Sequence, residues 1–351
     1  MTLAHTLGYP RIGAQRELKR AVEAYWRGDS DRAALEATAA ELRARHWQAQ
    51  RDAGLDLVSV GDFAFYDQVL NVSALVGAVP ARFGDVAGEV DLDTTFRMAR
   101  GRAPSGTPAA ACEMTKYFDT NYHYLVPELH RGQTFRIASR RLFDEVAEAR
   151  AAGHAVKVTL TGPLTWLWLG KIKGEAKGDA PYGDFDRLDL LDALLPVYGE
   201  ILARLAGQGV EWVQLDEPAL VQDLPRAWQQ AFEAAYNTLQ SAPVKLLLAT
   251  YFGDLGDNLA LATGLPVEAL HIDTVRAPAQ LERVLDRLPA YKILSVGAVD
   301  GRNVWRADLA SLRETLASAK ARLGDRLWLA PSCSLLHLSL IHISEPTRQE
   351  A

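Results

Sequence analysis

Seven short, nearly continuous apolar runs, each ending in Gly, Pro or Asp, constrain this chain more than any other feature. They are DLVSVGDF (56–63), VKVTLTGP (156–163), EWVQLDEP (211–218), VKLLLATYF (244–252), ALHIDTV (269–275), KILSVGAVD (292–300) and LWLAPSCS (327–334). Runs of this kind suit parallel strands buried on both faces. Amphipathic stretches of helical period lie between them, at 189–207, 226–240 and 309–323. Strand–helix alternation points to βαβ units. The N-terminal HTLGYP, weak as a strand by propensity, supplies an eighth. The expectation is an α/β chain, a (β/α)8 TIM-type barrel, and 351 residues suit one such barrel with insertions. The stretch 64–150 is too long for one crossover and is expected to hold a helical insertion after the second strand. A doubly wound open sheet is the alternative, but no Gly-rich dinucleotide turn follows any of the runs.

Charge and cysteines narrow the function. The formal charge is −6, with Lys and Arg spread along the chain, so neither a nucleic-acid nor an anionic-membrane surface is indicated. The start has no apolar signal core, and no run approaches ~18 apolar residues, so no membrane span is expected. Cys112 and Cys333 make no disulfide framework, which suits a reducing cytoplasm.

In a barrel of this kind chemistry sits where strands end and the following loops begin. Those ends carry Tyr9-Pro10-Arg11, Gly61-Asp62, Thr161-Gly162-Pro163, Asp216-Glu217-Pro218, Thr250-Tyr251-Phe252, His271 with Asp273, Asp300-Gly301-Arg302-Asn303 and Ser332-Cys333. Such groups either cap the following helices or act on a ligand. Asp216 and Glu217 are the sharpest pair: adjacent carboxylates at a strand end could work as acid and base. Strand neighbours point to opposite faces, however, so only one can face the mouth. A glycosidase pair would need a partner such as Asp273 or Asp62. No CxxC or HExxH is present; Cys333 with His337 makes at most half a zinc site.

Two basic stretches have a clearer shape. RIGAQRELKRA carries Arg11, Arg16, Lys19 and Arg20 at the expected start of a helix, where backbone amides and cations together favour an anion. EMTKYFDTNYHYLVPE (113–128) sets Lys116 among Tyr117, Phe118, Tyr122, His123 and Tyr124. That mixture suits a ligand with a flat ring and carboxylates, or is simply a packed aromatic helix.

Seven stretches in order, LGYPRIGAQRELKRA, VSVGDFAFYDQVL, GRAPSGTPAAACEMTKYFDTNYHY, LTGPLTWLWLGK, WVQLDEPAL, GRNVWRAD and SCSLLH, resemble the N-terminal half of cobalamin-independent methionine synthases. The resemblance runs from Leu7 to His337. It implies a cytoplasmic monomer of two barrels that transfers a methyl group from 5-methyltetrahydropteroyltri-L-glutamate to L-homocysteine without cobalamin. It places zinc and homocysteine in the C-terminal barrel and the folate glutamate tail partly on the N-terminal one. Carried over, tail binding falls on Arg16, Glu17, Leu18, Lys19 and Lys116, with Glu17 acting through its backbone. Asp216 and Glu217 remain possible secondary residues, and neither catalytic nor metal residues are expected in this chain.

The domain expected over 1–337 is therefore the N-terminal barrel. The family pattern stops at His337, and LSLIHISEPTRQEA resembles translated sequencing adapter. Residues 338–351 are expected to be a non-native tail on a truncated gene, with the zinc barrel missing and the fragment inactive alone. A stand-alone barrel hydrolase or lyase using Glu217 and Asp216, and a non-catalytic folate-binding module, are the rival readings.

Overall fold

Eight parallel strands form one curled sheet in the computed structural model, which describes residues 2–84, 88–173 and 185–338. They are β1 (Leu3–Ala4), β2 (Val58–Val60), β3 (Val156–Thr161), β4 (Trp212–Asp216), β5 (Lys245–Ala249), β6 (Ala269–Asp273), β7 (Ile293–Val299) and β8 (Leu327–Pro331). Each pairs with its sequence neighbour from β2 to β8, and β1 pairs with β8. The ring closes where His5 bridges Leu57 in parallel and the Asp56 N–H donates to the Ala4 carbonyl at 3.0 Å.

Alternation along the strands separates two environments. One set of positions is apolar: Val158, Leu160, Val213, Leu215, Leu246, Leu248, Leu270, Ile272, Leu294 and Val296 share one core with the covering helices. The other set faces the barrel axis. Its bottom layer is apolar, with Trp212 and Trp328 edge to face at 4.6 Å beside Leu247 and Ala269. Above it the axis is polar and buried, with Lys157, Thr159, Thr161, Gln214, Asp216, His271 and Ser295. Barrel interiors are usually filled by Val, Ile and Leu, so this one departs from the norm.

Seven of the expected strands lie inside their runs. The N-terminal strand lies earlier than HTLGYP: pairing is confined to Leu3–Ala4 and the bridge at His5. From residue 6 onward the chain leaves the sheet, since Pro10 has no amide to donate and the Tyr9 N–H donates instead to the Asp62 carboxylate at 2.6 Å.

The insertion after β2 holds helices, Gln68–Leu75 and Leu92–Arg100, but also an antiparallel hairpin of Met114–Lys116 with His123–Leu125. The aromatic stretch 113–128 is thus not a helix. Its turn is closed locally: the Thr120 hydroxyl donates to the Tyr117 carbonyl at 2.7 Å and accepts from the Tyr122 N–H at 3.1 Å, and Phe118 takes a positive φ of 50°. The helix Arg141–Ala151 returns the chain to β3. No helix among the described residues is long and apolar enough to cross a membrane. Beyond Leu338, the tail expected at 338–351 lies outside the described residues.

Candidate functional site

The two adjacent carboxylates point apart, as strand geometry requires. Glu217 is fully buried and leaves the axis. Its carboxylate accepts from the N–H groups of Leu164 (3.3 Å) and Thr165 (2.7 Å), in the first turn of the helix Pro163–Leu169, and from the Tyr236 hydroxyl at 3.2 Å. Gly162 makes this possible: a Cβ there would lie 2.1 Å from Glu217 Oε1. Burial pushes the Glu217 carboxyl up to about 7, against the lowering effect of those donors.

Asp216 faces the axis. Gln214 Nε2 donates to its Oδ1 at 2.6 Å and to the Leu7 carbonyl at 3.0 Å. The Lys157 ammonium donates to Gln214 Oε1, so one amide bridges a buried cation and a buried carboxylate. Burial raises the Asp216 carboxyl and lowers the Lys157 ammonium; the charges of Asp216 and Asp62 hold that ammonium partly up. Below them, Ser295 Oγ lies 2.8 Å from His5 Nε2 and 2.9 Å from His271 Nδ1. Burial holds His271 down at about 3, so its ring is neutral.

The remaining strand-end groups organise loops. Asp273 accepts from the N–H groups of Phe252, Val275 and Arg276. Asp300 accepts from the Arg302 N–H and from Asn303 Nδ2, and the Ser332 hydroxyl accepts from the Gly301 N–H. The hairpin then covers the mouth. Tyr117 is fully buried, its hydroxyl 3.4 Å from that of Tyr251 and its ring stacked on His337 at 5.6 Å. Asp119 ties the hairpin to the rim through Arg276 and Arg302, both at 3.1 Å. Asp216 and Glu217 are committed to structural partners beneath this plug, and neither converges with Asp273, which caps its own loop.

An open cavity of about 610 Å³ lies outside the plug, between the first helix, Glu17–Arg27, and the hairpin. Arg11, Lys19 and Arg302 bring positive charge to it, and Met114, Asn121 and His123 form the hairpin wall. The Arg11 guanidinium is fixed by the Ala64 carbonyl at 2.9 Å and the Phe65 carbonyl at 3.3 Å. His337 lies at one end among Tyr117, Tyr122 and Phe252. Burial, then the Arg302 charge, holds it down at about 3, and its ring nitrogens have no partner among the described residues.

The residues expected to hold the folate tail distribute unevenly around this groove. Lys19 lines it, half-exposed and 3.9 Å from Glu23. Leu18 lines it too, but as a core residue, 1% exposed. Lys116 stands opposite His123 and one pleat from Met114, on the face of the hairpin that walls the groove. Arg16, in the left-handed region at φ 60°, and Glu17 begin the helix without lining the groove. The Glu17 carboxylate accepts from Arg45 at 2.7 Å and from the Gln15 N–H at 2.9 Å. Burial pushes its pKa up, but the backbone amides and Arg45 outweigh this and hold it below the usual range. Trp26, also on the wall, was not singled out from sequence; lying seven residues after Lys19, it shares that residue's helix face, the signal that could have found it. Arg100 stacks on its ring at 3.9 Å.

Among the described residues no three His, Cys, Asp or Glu side chains converge to hold a metal ion. Cys333 is buried and its thiol is pushed up to about 12 by burial. The described His, Cys, Asp and Glu side chains therefore do not fit a zinc site.

The fold is a TIM-type barrel of eight parallel strands, with a plugged mouth and a cationic groove at its rim. Residues 3–324 match the family model described as the N-terminal domain of cobalamin-independent synthases, and the chain belongs to that family. Its fold is similar to that of a B12-independent methionine synthase from Shewanella sp. W3-18-1, with 16% identity, TM-score 0.68, and 99% of this chain and 98% of that one covered. It is also similar to a methyltransferase from Methanosarcina mazei, with 14% identity, TM-score 0.59, and coverage of 97% and 91%.

Proposed function

We propose that this chain is the folate-tail-binding barrel of a methyltransferase that converts L-homocysteine to L-methionine with 5-methyltetrahydropteroyltri-L-glutamate as donor. The observation that carries this reading is the cationic groove between the first helix and the hairpin. Each γ-linked glutamate of the tail adds a carboxylate, and ammonium and guanidinium groups on a half-exposed rim suit that series. Arg11, Lys19, Lys116 and Arg302 supply the charge. Leu18 fixes the helix against the core, and Arg16 and Glu17 set its first turn. The neutral His337 ring and the Trp26 indole offer a polar edge and a flat face to the rest of the ligand.

The plugged mouth supports a division of labour in which the bond-making steps occur elsewhere. A companion barrel would bind homocysteine, and zinc there would lower the pKa of its thiol; none of that activation is assigned to residues of this chain. On this reading the chain alone makes no methionine, needs no cobalamin, and works as a monomer in the cytoplasm. Titration with methyltetrahydrofolate bearing one or three glutamates tests the tail assignment. The triglutamate form should bind at least about tenfold more tightly at low salt, with the advantage shrinking as salt rises. Equal affinities would overturn it.

A further inference from the structure

A second cavity, of about 300 Å³, lies between the insertion helices and the ends of β2, β3 and β4, and reaches the axis-facing Thr159, Thr161 and Asp216. Four of the residues that line it carry a buried polar atom with no hydrogen-bond partner among the described residues: Gln68 Nε2, Arg141 Nη1, Glu145 Oε1 and Thr159 Oγ1. Buried polar groups are nearly always paired, so four in one lining call for an explanation. Glu145, Thr159 and Gln68 are 4%, 5% and 8% exposed. Asp62 stands at the inner end and is also buried.

The neighbours do not relieve these atoms. Arg43 is taken up by Glu148, at 3.0 Å from Nε and 2.6 Å from Nη2, and its Nη1 stays 3.9 Å from Glu145 Oε1, beyond hydrogen-bonding reach. Arg141 gives Nη2 to Glu36 at 3.3 Å and lays its guanidinium over Phe65 at 4.4 Å, and its Nη1 is left without a partner among the described residues. Burial pushes the carboxyls of Glu145 and Asp62 up to about 7 and about 6, against the lowering charges of Arg43 and Arg141 on the first and the Tyr9 N–H and the Lys157 charge on the second.

The four atoms ask for both signs. A lone anion would meet Glu145 and Asp62; a lone cation would leave Arg141 Nη1 and Gln68 Nε2 unmet. A carboxylate and an ammonium on one carbon satisfy both sets over a short span, and the volume is at the lower end for small-molecule sites, about 300–1,000 Å³. We propose that this cavity is a binding site for a free α-amino acid, with the carboxylate on Arg141 and Gln68 and the ammonium on Glu145, Thr159 and Asp62.

The test uses the 351-residue chain. Each protein amino acid at about 10 mM is screened for a rise in melting temperature, and hits are titrated by calorimetry. At least one should bind at one site. Its amide and its N-acetyl derivative should each bind about tenfold or more weakly, since each lacks one charge-assisted hydrogen bond. Glu145→Gln and Thr159→Val should each weaken binding about tenfold or more, the second deciding the matter if the first does not fold. The site is overturned if no amino acid binds, if the blocked derivatives bind as well as the parent, or if the folded variants bind like the parent chain; the cavity then holds water alone. The readout involves neither folate nor methyl transfer, so its failure leaves the tail-binding reading standing.

Discussion

Lys157→Met is the sharpest probe of the barrel interior. Lys157 is fully buried, donates to Gln214, and through that amide is linked to Asp216, itself 1% exposed. Removing the cation leaves Asp216 and Asp62 without the charge that favours their ionised forms. Breaking a buried pair from one side costs about 3–5 kcal/mol, and the lost donor to Gln214 contributes about 1 kcal/mol of that. Release of Lys157 from its own desolvation offsets part, so the expected loss is about 3–4 kcal/mol. Adding Asp216→Asn removes the stranded charge and should restore about 2 kcal/mol, giving a coupling energy of that order in the double-mutant cycle. The pH dependence has a definite sign. Without Lys157 the folded-state pKa of Asp216 rises further above its ordinary value. A group raised in this way contributes stability that is present at low pH and lost as pH rises through the folded pKa. The deficit of the single variant, measured by urea denaturation with unchanged m, should therefore shrink between about pH 8 and about pH 5.5. A loss below about 1 kcal/mol, or a deficit that grows on acidification, would refute the account of the interior as a compensated charge network.

Other perturbations address the cap, the tail and the plug. Gly162→Ala forces a Cβ against Glu217, which has no solvent to swing into, and should cost about 1–3 kcal/mol in denaturation; a neutral result would show that Glu217 does not hold that helix turn. If the tail assignment holds, Lys116→Ala in an enzyme carrying both barrels should raise KM for the triglutamate donor about threefold to tenfold and lower kcat less, because contacts to the tail would bind ground and transition states alike. The reverse split would move Lys116 into the chemistry. Asp119→Ala should change stability by less than about 1 kcal/mol, since its ion pairs are partly exposed. Amide exchange across residues 117–122 should nevertheless quicken, and unaltered exchange would mean that the hairpin is held by its aromatics alone.

The barrel was legible because its strands are buried on both sides, and runs such as VKVTLT stand out against their helical surroundings. Their polar members were visible as well. That Lys157, Gln214 and Asp216 point to the axis and join one another was not, because register between strands separated by long crossovers leaves no local trace. The opposite orientations of Asp216 and Glu217 followed from the alternation of strand side chains; which of them capped a helix did not, since that depends on Gly162, more than fifty residues upstream. The hairpin at 114–125 was missed for a different reason. Its strands are three residues each, too short for a period of two to be told from the aromatic face of a helix. The basic start of the first helix was readable, but its opposing wall was not, since the hairpin reaches it only through the tertiary fold.

These features bear on where a ligand can go. To enter the mouth past the hairpin, a molecule would have to displace Tyr117 from its contacts with Tyr251 and His337 and break the Asp119 ties to two arginines. It would then meet a carboxylate already engaged by Gln214 and Tyr251. Each of those steps leaves buried polar groups unpaired, at about 1–3 kcal/mol apiece. The groove along the first helix requires none of them: Lys19 and Lys116 are exposed, and Arg11 is already fixed by backbone carbonyls rather than waiting to be ordered. A preorganised cation on a solvent-facing rim binds a flexible polyanion at lower ordering cost than a mobile one. The same plug that closes the barrel's usual catalytic position therefore supplies, on its outer face, one wall of the groove proposed to bind the tail.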